Sequence, residues 1–295
     1  MISKKKVIIF SNAERDIGFG MAREVACLLR QKGRETALCP MLSGDDALDA
    51  VAAGSGLEAS VLESELPAAE IIIAIGGDGT ILQAARAAAG FEVPVLGINM
   101  GGKGFMAELE ADEVGLIGAV ADGRYKTERR MMLDAAVVRG GETVCRDFAL
   151  NDIVIKGDNK VIDLTLFGDE QRITHFSGDG AVVSTPTGST AYSMAAGGPI
   201  VEPSAHNIIV TPICAHVLEA KSFVLVSDRR VTVEIGYKKH NPAYMSADGG
   251  EHYDIEGGDI VTVQKSKMSA MLAHITDGSF YKKVSEKLAV RFIYN

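Results

Sequence analysis

The stretch "IIIAIGGDGTILQAARAAAG", from Ile71 to Gly90, constrains the fold of this chain more than any other part of its sequence. An entirely apolar run leads into a glycine-rich turn, which leads into an alanine-rich segment. Strands that are apolar on both faces occur in parallel sheets whose two faces are covered by helices. The stretch therefore predicts a buried strand, a tight turn and a helix of an open α/β domain.

The remainder of the first 125 residues repeats this alternation. Strands are predicted at "KVIIFSN", "ETALCPML", "EIIIAI" and "VPVLGIN", and "GDDALDAVAAG" predicts a short helix. A longer helix is predicted between the first two strands, because five apolar residues share one helical face: Ile17, Met21, Val25, Leu28 and Leu29. We therefore expect residues 1–125 to form an α/β domain with an open, mostly parallel sheet.

After Arg129 the pattern changes to short strands separated by Gly, Asp and Asn, which is typical of antiparallel sheets. The predicted strands are "LDAAVV", "FALNDIVI", "IDLTLFG", "GAVVST", "FVLVS", "RVTVEIG" and "DIVTVQ", with one helix near Ser189 to Ala196. We expect residues 126–270 to form a mostly antiparallel β domain. Residues 271–295 are expected to form a tail that packs back on the first domain, and within it "GSFYKKVSEKLAVRFIYN" returns to helical spacing.

Charge and composition exclude several classes of protein. A net charge of -9 argues against sequence-independent nucleic-acid binding, because that needs a cationic face. The apolar runs are shorter than the about 18 residues of a membrane-spanning helix, and the first is too short for a signal peptide, so we expect a cytoplasmic protein. The 4 cysteines lack the CxxC spacing of zinc and redox sites, so we expect reduced, packed thiols.

The Gly-Gly-Asp-Gly-Thr loop lies where ligands of parallel sheets bind, beyond the carboxyl end of a strand. Glycines let backbone N–H groups approach a phosphate, and the start of the next helix adds partial positive charge. Because a carboxylate repels phosphate, Asp78 needs another task, either accepting a proton or holding Mg²⁺. The alternative is a simple turn. Function is favoured at Asp78 because, unlike Asp169, Asp179 and Asp248, it lies between an apolar strand and a helix.

A second polar cluster lies in "SGDGAVVSTPTGSTAYSMAAGGPIV". Its hydroxyl groups and free amides suit recognition of ribose, adenine or phosphate. The alternative is a helix capped by Ser or Thr, which accounts for Ser189 or Thr190 but not for the whole cluster. In "LNDIVI", Asn151 and Asp152 alone favour a turn-capping pair. For His252, which follows the Asp248 turn, a ligand contact is the less favoured interpretation.

Taken together, these residues resemble the NAD kinase family. The likeness runs in order through "GGDGT", "PVLGINMGGKGF", "RRMMLDA", "LNDIVI", "DGAVVSTPTGSTAYSMAAGGPIV" and "VTPICAHVL". The first motif is shared with lipid kinases, whereas the long "TPTGSTAY" segment is specific. The resemblance implies an α/β domain followed by an NAD-binding β domain. It implies transfer of the γ-phosphoryl group of ATP, or of inorganic polyphosphate, to the 2′-hydroxyl of the adenosine ribose of NAD, with Mg²⁺ or another divalent metal.

The resemblance also assigns roles to individual positions. Asp78 matches the general base, Gly77 and Gly79 line the phosphate path, and Phe105 matches an aromatic residue beside the nucleotide. Asn151 and Asp152 match the pair that contacts the substrate adenosine, and Asp179 matches an acid near the nicotinamide end. The adenine and ribose loop is matched by Thr187, Thr190, Ala191 and Tyr192, and the set of predicted binding residues is completed by Thr80, Ser193 and Ala195.

Some positions depart from the family pattern. Asp152 stands where the family more often has Glu, and Gly250 stands where it commonly has Gln. Two rival functions share parts of the pattern, a lipid kinase with the same glycine loop and a non-catalytic NAD(P) sensor. The partners implied are NAD and the phosphoryl donor, together with a homo-oligomer, a dimer or a tetramer, and neither nucleic acid nor a membrane.

Overall fold

The computed structural model describes residues 6–41, 55–102, 104–216, 220–236 and 242–289. The chain divides into two compact units. The first contains the residues up to Arg129 together with those from Ala270 onward, and the second is Arg130–Ser269. In the described part of the chain, no helix is both long and apolar enough to cross a membrane.

The first unit is built on a parallel sheet. Its strands are β1 (Lys6–Asn12), β2 (Glu35–Met41), β3 (Ala69–Gly76), β4 (Val95–Asn99) and the short β5 (Leu109–Glu110). The described pairings run in the order β2-β1-β3-β4, all parallel, and β5 adds to β4. Isoleucines 71–73 and 75 are fully buried, as expected of a strand covered on both faces. This sheet confirms the predicted α/β fold.

Helices cover this sheet. The two long ones are Gly20–Gln31 and Asp78–Ala89, and the shorter ones are Leu62–Glu65, Leu66–Ala68, Ala111–Ile117 and Gly118–Ala121. Gly20–Gln31 buries Ala22, Val25, Ala26 and Leu29 against the strands. A last helix, Phe280–Ala289, confirms the helical spacing of the tail. The predicted helix "GDDALDAVAAG" lies outside the described residues.

One residue of the predicted first helix is wrongly assigned. Ile17 is 86% exposed and precedes the helix, which begins at Gly20. Gly18 and Phe19 both have positive φ, so the backbone cannot continue as a right-handed helix through them. The buried Asp16 carboxylate accepts the N–H groups of Met21 and Ala22 and thereby caps the start of the helix. Asp16 precedes the residues that were predicted to form this helix.

The second unit is built from antiparallel strands, as predicted. The strands from Lys126 onward are, in chain order, β6 (Lys126–Arg139), β7 (Glu142–Ala149), β8 (Asp152–Gly157), β9 (Ile162–Gly168), β10 (Gln171–Gly178), β11 (Gly180–Ser184), β12 (Asn207–Ile213), β13 (Phe223–Val226), β14 (Val231–Ile235), β15 (Ala243–Ala247), β16 (Tyr253–Ile255) and β17 (Ile260–His274). The part of β6 before Arg130 and the part of β17 from Ala270 onward belong to the first unit. One sheet has the order β13-β12-β11-β8-β15-β16, and the other contains β10-β9-β14-β17. Their apolar faces share one core.

Two predicted elements of this unit are divided in the structure. The predicted strand "FALNDIVI" is two strands, β7 and β8, interrupted at Leu150 and Asn151. The predicted helix near Ser189 to Ala196 is a 3₁₀ turn, Thr187–Thr190, followed by a single helical turn, Tyr192–Ala195. Ala191 separates them because its backbone, with φ -99° and ψ -128°, is not helical.

The four cysteines are free thiols, but not all are packed as expected. Burial raises the pKa of the Cys39 thiol to about 12, which keeps it protonated. Cys27 and Cys214 are exposed instead. Cys27 lies on the outer face of the helix Gly20–Gln31, which turns its apolar stripe to the sheet.

Candidate active site

The Asp78 carboxylate is held in place by the backbone of another loop. Asp78 opens the helix Asp78–Ala89 directly after β3, and its negative charge suits that helix end. Its Oδ2 accepts the N–H of Phe105 at 2.8 Å, and its Oδ1 accepts the N–H of Met106 at 3.1 Å. Each oxygen has further lone pairs, so the oriented carboxylate can still accept a proton or a hydrogen bond.

The neighbours of Asp78 divide into open and closed positions. A Cβ built at Gly77 or at Gly79 would have no other described part of the chain within 4 Å, apart from the adjacent backbone. An anion can therefore approach the backbone of both glycines. Thr80 is buried, and its Oγ1 accepts a hydrogen bond from Asn12 Nδ2 at 3.2 Å. Phe105 is half-buried. Gly77 and Gly79 are therefore the open positions of the loop, and Thr80 joins it to the end of β1.

In the second unit, a single carboxylate organises the start of β8. Asp248 accepts the N–H groups of Leu150 (2.8 Å), Asn151 (2.7 Å) and Asp152 (3.0 Å). The first two of these amides belong to the residues between β7 and β8, so the Asp248 carboxylate binds the backbone at the break between the two strands. The sequence favours a turn at Asp248, and this residue does have the positive φ of one. Its Asp-Gly pair signals the turn, but nothing local signals the three bonds.

The hydroxyl-rich loop packs against the same three residues. Thr185 Oγ1 donates to the Leu150 carbonyl at 2.6 Å, and the Thr185 N–H donates to the Asn151 carbonyl at 2.9 Å. Gly188 lies so close to Asn151 that a Cβ there would overlap the Asn151 carbonyl. The Asp152 carboxylate accepts the backbone N–H of Tyr192. Residues far apart in sequence thus form one polar cluster.

Other predicted residues of this unit lie elsewhere. The Ser193 hydroxyl is buried and shares a 3.1 Å hydrogen bond with Thr211, whereas Ala195 is exposed. Thr190 donates to the Thr187 carbonyl within its own turn. Asp179 precedes β11, so it lies at the opposite end of that strand from Thr185. Their binding roles stay predictions.

Asp179 borders a cleft of about 630 Å³. The cleft is also lined by Lys156, Asp254 and a stacked pair of rings, Tyr244 and His252, whose centroids are 3.9 Å apart. A flat aromatic pair beside carboxylates suits a planar or cationic ligand group. His252 thus lines a cleft, and its contact with a ligand stays a prediction.

Asp152 carries a carboxyl group with a raised pKa in the polar cluster of the second unit. Burial raises the pKa of Asp152 to about 7, the nearby charge of Asp248 adds to the rise, and the Tyr192 N–H opposes it. Between pH 3.8 and 7 the folded chain thus holds a proton that the unfolded chain releases. Asp152 therefore makes folding less favourable as pH rises through that range.

We expect Asp152→Asn to remove this pH dependence. The amide oxygen can still accept the Tyr192 N–H, and no charge forms at high pH. The melting temperature of the variant should exceed that of the wild type more at pH 8 than at pH 5, with about 2–4 °C for each 1 kcal/mol. Asp158→Asn, at an exposed position, is the control and should shift both values equally. An equal difference at both pH values would contradict the raised pKa of Asp152.

Family models match both units of the chain. The ATP-NAD kinase N-terminal domain matches residues 7–125, and the ATP-NAD kinase C-terminal domain matches residues 150–275. Among solved structures, yeast NADH kinase in complex with NADH has a TM-score of 0.82 at 23% identity, over 99% of this chain and 89% of that one. An NAD kinase from Archaeoglobus fulgidus in complex with ATP has a TM-score of 0.73 at 24% identity, over 96% and 98%. These two structures share the fold.

Sequence relatives carry the comparison further. An NAD kinase from Ruminiclostridium cellulolyticum is 32% identical over 290 residues, which are 97% of this chain and 99% of the relative. An NAD kinase from Natranaerobius thermophilus is 39% identical over 240 residues, 79% of this chain and 83% of the relative. With both domain models matched and the first relative aligned over nearly its whole length, the chain belongs to the NAD kinase family.

Proposed function

We propose that this protein transfers the γ-phosphoryl group of ATP to the 2′-hydroxyl of the adenosine ribose of NAD, with Asp78 as the general base. The observation that carries the proposal is the Asp78 carboxylate, fixed by two backbone N–H groups at the carboxyl end of a parallel strand. That edge is where parallel sheets bind ligands. Membership of the NAD kinase family supports the reaction.

In this proposal the transfer is direct. The ribose 2′-oxygen attacks the γ-phosphorus in line, the bond from that phosphorus to the β–γ bridging oxygen breaks, and ADP leaves. The hydroxyl proton passes to Asp78 as the new bond forms, because an unassisted ribose hydroxyl is a poor nucleophile near pH 7. Backbone N–H groups at Gly77 and Gly79 stabilise negative charge on the phosphates. No covalent enzyme intermediate is required.

The residues present fit a divalent metal held mainly by the substrate. Mg²⁺ in phosphoryl-transfer sites commonly takes one or two carboxylates together with substrate phosphates. Asp78 is assigned to the proton in this proposal, and the described residues contain no group of three or more His, Cys, Asp or Glu side chains able to hold a metal, so the substrate phosphates would supply most of the ligands. When bound, the metal would neutralise charge on the transferring phosphoryl group.

We assign the adenosine of NAD to the polar cluster of the second unit. Its support is the convergence of Asn151 and Asp152 with the loop that carries Thr187 and Tyr192. Rigid backbone contacts hold these groups, which lowers the entropy cost of binding a ligand. The homo-oligomer and the cytoplasmic location stay predictions, and light scattering of the purified protein tests the first.

A methyl group at Gly104 should disturb the base directly. A Cβ built there would overlap Asp78 Oδ1, and displacing a catalytic group by about 1 Å can cost on the order of a hundredfold in rate. Gly104→Ala is therefore expected to lower kcat strongly with little change in the KM for NAD. Gly102→Ala is the matched control, because a Cβ at Gly102 meets open space in the same loop. Equal kcat values for the two variants would contradict this account of Asp78.

The activity is tested with purified protein, NAD, Mg²⁺ and either ATP or polyphosphate, with NADP measured by an NADP-specific dehydrogenase. Product with ATP supports the proposal, and the polyphosphate arm tests whether that donor also serves. Binding of NAD without product from either donor would favour a sensor. No binding of NAD would contradict the proposal altogether.

A further inference from the structure

The loop that orients Asp78 has no regular structure of its own. Residues 100–102 and 104–108, which connect β4 to β5, lie outside helices and strands. Its Phe105 and Met106 amides nevertheless hold the Asp78 carboxylate. The position of that carboxylate therefore depends on whatever fixes this loop.

The loop is fixed by the carboxyl-terminal part of the first unit. Glu108 Oε1 accepts the N–H of Ile275 (3.0 Å) and both the N–H (2.7 Å) and the hydroxyl (2.6 Å) of Thr276. Lys283, on the last helix, donates to the Ala107 carbonyl at 2.6 Å. Ala107 and Glu108 directly follow the two residues that hold Asp78, so these bonds act on the same short backbone segment.

An ion pair between a half-buried histidine and a buried carboxylate completes this attachment. His274 Nδ1 lies 2.8 Å from Glu108 Oε2, and His274 Nε2 lies 3.2 Å from Glu128 Oε2. The Glu108 side chain is 3% exposed. The hydrogen bond with Glu108, followed by that with Glu128, raises the pKa of His274 to about 9. Burial works to raise the pKa of Glu108, but the bonds from His274 and Thr276 outweigh it and hold that pKa below its ordinary value.

His274 is therefore protonated near neutral pH, and both ring nitrogens donate. The acidic groups that face the ring are Glu108, which precedes β5, and Glu128, on β6. The ion pair of Lys126 with Asp277 lies nearby in sequence but is almost fully exposed, so water screens it. The positive charge of His274 is thus compensated mainly by Glu108 and Glu128.

We propose that the Glu108–His274 pair positions the catalytic base: it fixes the backbone at Phe105 and Met106 and thereby sets where the Asp78 carboxylate lies. This inference rests on the proposed role of Asp78 as the general base. His274 and Glu108 are positioning residues, since neither contacts Asp78 itself. The carboxyl-terminal segment from His274 to Lys283 then serves turnover as well as stability.

The test is His274→Gln, which keeps a hydrogen-bond donor but loses the charge. We expect kcat to fall about tenfold with the KM values for NAD and ATP within about twofold, the signature of a group that acts on the transition state. The matched control is Arg139→Gln in the second unit, which removes the cationic partner of Asp259, whose side chain is likewise 3% exposed. That variant should lose a similar amount of thermal stability without loss of kcat.

Two further readouts separate positioning from stability. The kcat of the wild type should fall as pH rises through about 9, where His274 loses its proton, and His274→Gln should lack that fall. In an Asp78→Asn background, His274→Gln should cause no additional loss of kcat, because no base remains to be positioned. Additive losses would contradict the inference.

The outcomes distinguish this inference from the proposed function. If Asp78→Asn kept its turnover, the role of Asp78 itself would be wrong. If Asp78→Asn lost turnover while His274→Gln and Arg139→Gln had the same kcat, only the positioning role of the Glu108–His274 pair would be wrong. Should His274→Gln prove too unstable to assay, Glu108→Gln removes the charge that pairs with His274 but keeps an oxygen that can accept the N–H groups of Ile275 and Thr276. This variant is expected to lower kcat with unchanged KM, and an unchanged kcat would overturn the inference.

Discussion

Asp78→Asn is expected to lower kcat by about 10²- to 10⁴-fold while the KM for NAD stays nearly unchanged. An amide cannot take the proton of the ribose hydroxyl, and the assigned adenosine contacts are untouched. The amide oxygen of the variant would still accept one of the two backbone N–H groups that Asp78 accepts, so the loop keeps most of its support. Steady-state kinetics of both proteins with NAD and ATP measure the effect.

The control for this change is Asp112→Asn, at an exposed position of the same unit. It removes one negative charge without touching the glycine loop, so kcat should equal that of the wild type. A loss in Asp78→Asn of less than about tenfold would be too small for a general base. A large increase in KM with unchanged kcat would instead make Asp78 a binding residue.

Asp248→Ala is expected to lower the free energy of unfolding by at least about 2 kcal/mol more than a matched change elsewhere, since each buried N–H left unpaired costs about 1–3 kcal/mol. Asp248 accepts three backbone N–H groups, and Leu150 and Asp152 are buried. The same change should raise the KM for NAD about tenfold, because Asn151 and Asp152 would lose their fixed positions.

The matched change is Asp169→Ala. Asp169 also has positive φ, 55° against 52° at Asp248, so both variants place alanine in the same unfavourable backbone conformation. Asp169 is exposed and accepts the N–H of Arg230 together with an exposed Arg229 ion pair. Urea denaturation measures the free energy of unfolding of both variants, and the difference between them gives the contribution of the buried amides. Equal losses of free energy would contradict the role assigned to Asp248.

The α/β unit was predictable because its signals are local. Five apolar residues in a row at Ile71–Ile75 require a strand covered on both faces, and a glycine loop with a helix behind it follows from the next ten residues. The start of the first helix was not predictable to the residue. Ile17 fits the helical spacing, but Gly18 and Phe19 take positive φ, and periodicity carries no information on φ.

In the second unit, the sequence predicted the strands better than their limits. "FALNDIVI" was predicted as one strand, yet Asp248, almost 100 residues away, accepts hydrogen bonds from the amides at its centre. The hydroxyl cluster could be predicted from the sequence, because its Ser and Thr residues lie close together along the chain. Its contact with Asn151 was not, because the two segments meet through hydrogen bonds between different strands.

The sequence by itself determined the fold class, the glycine loop and the family, because apolar periodicity and contiguous motifs depend only on residues that are close together in the sequence. Only the tertiary structure decided how the polar groups are used. Asp78 is oriented by amides 27 and 28 residues further along, and Glu108 meets His274 across 166 residues. Buried carboxylates must find donors wherever the folded backbone brings them, and sequence spacing does not encode those distances.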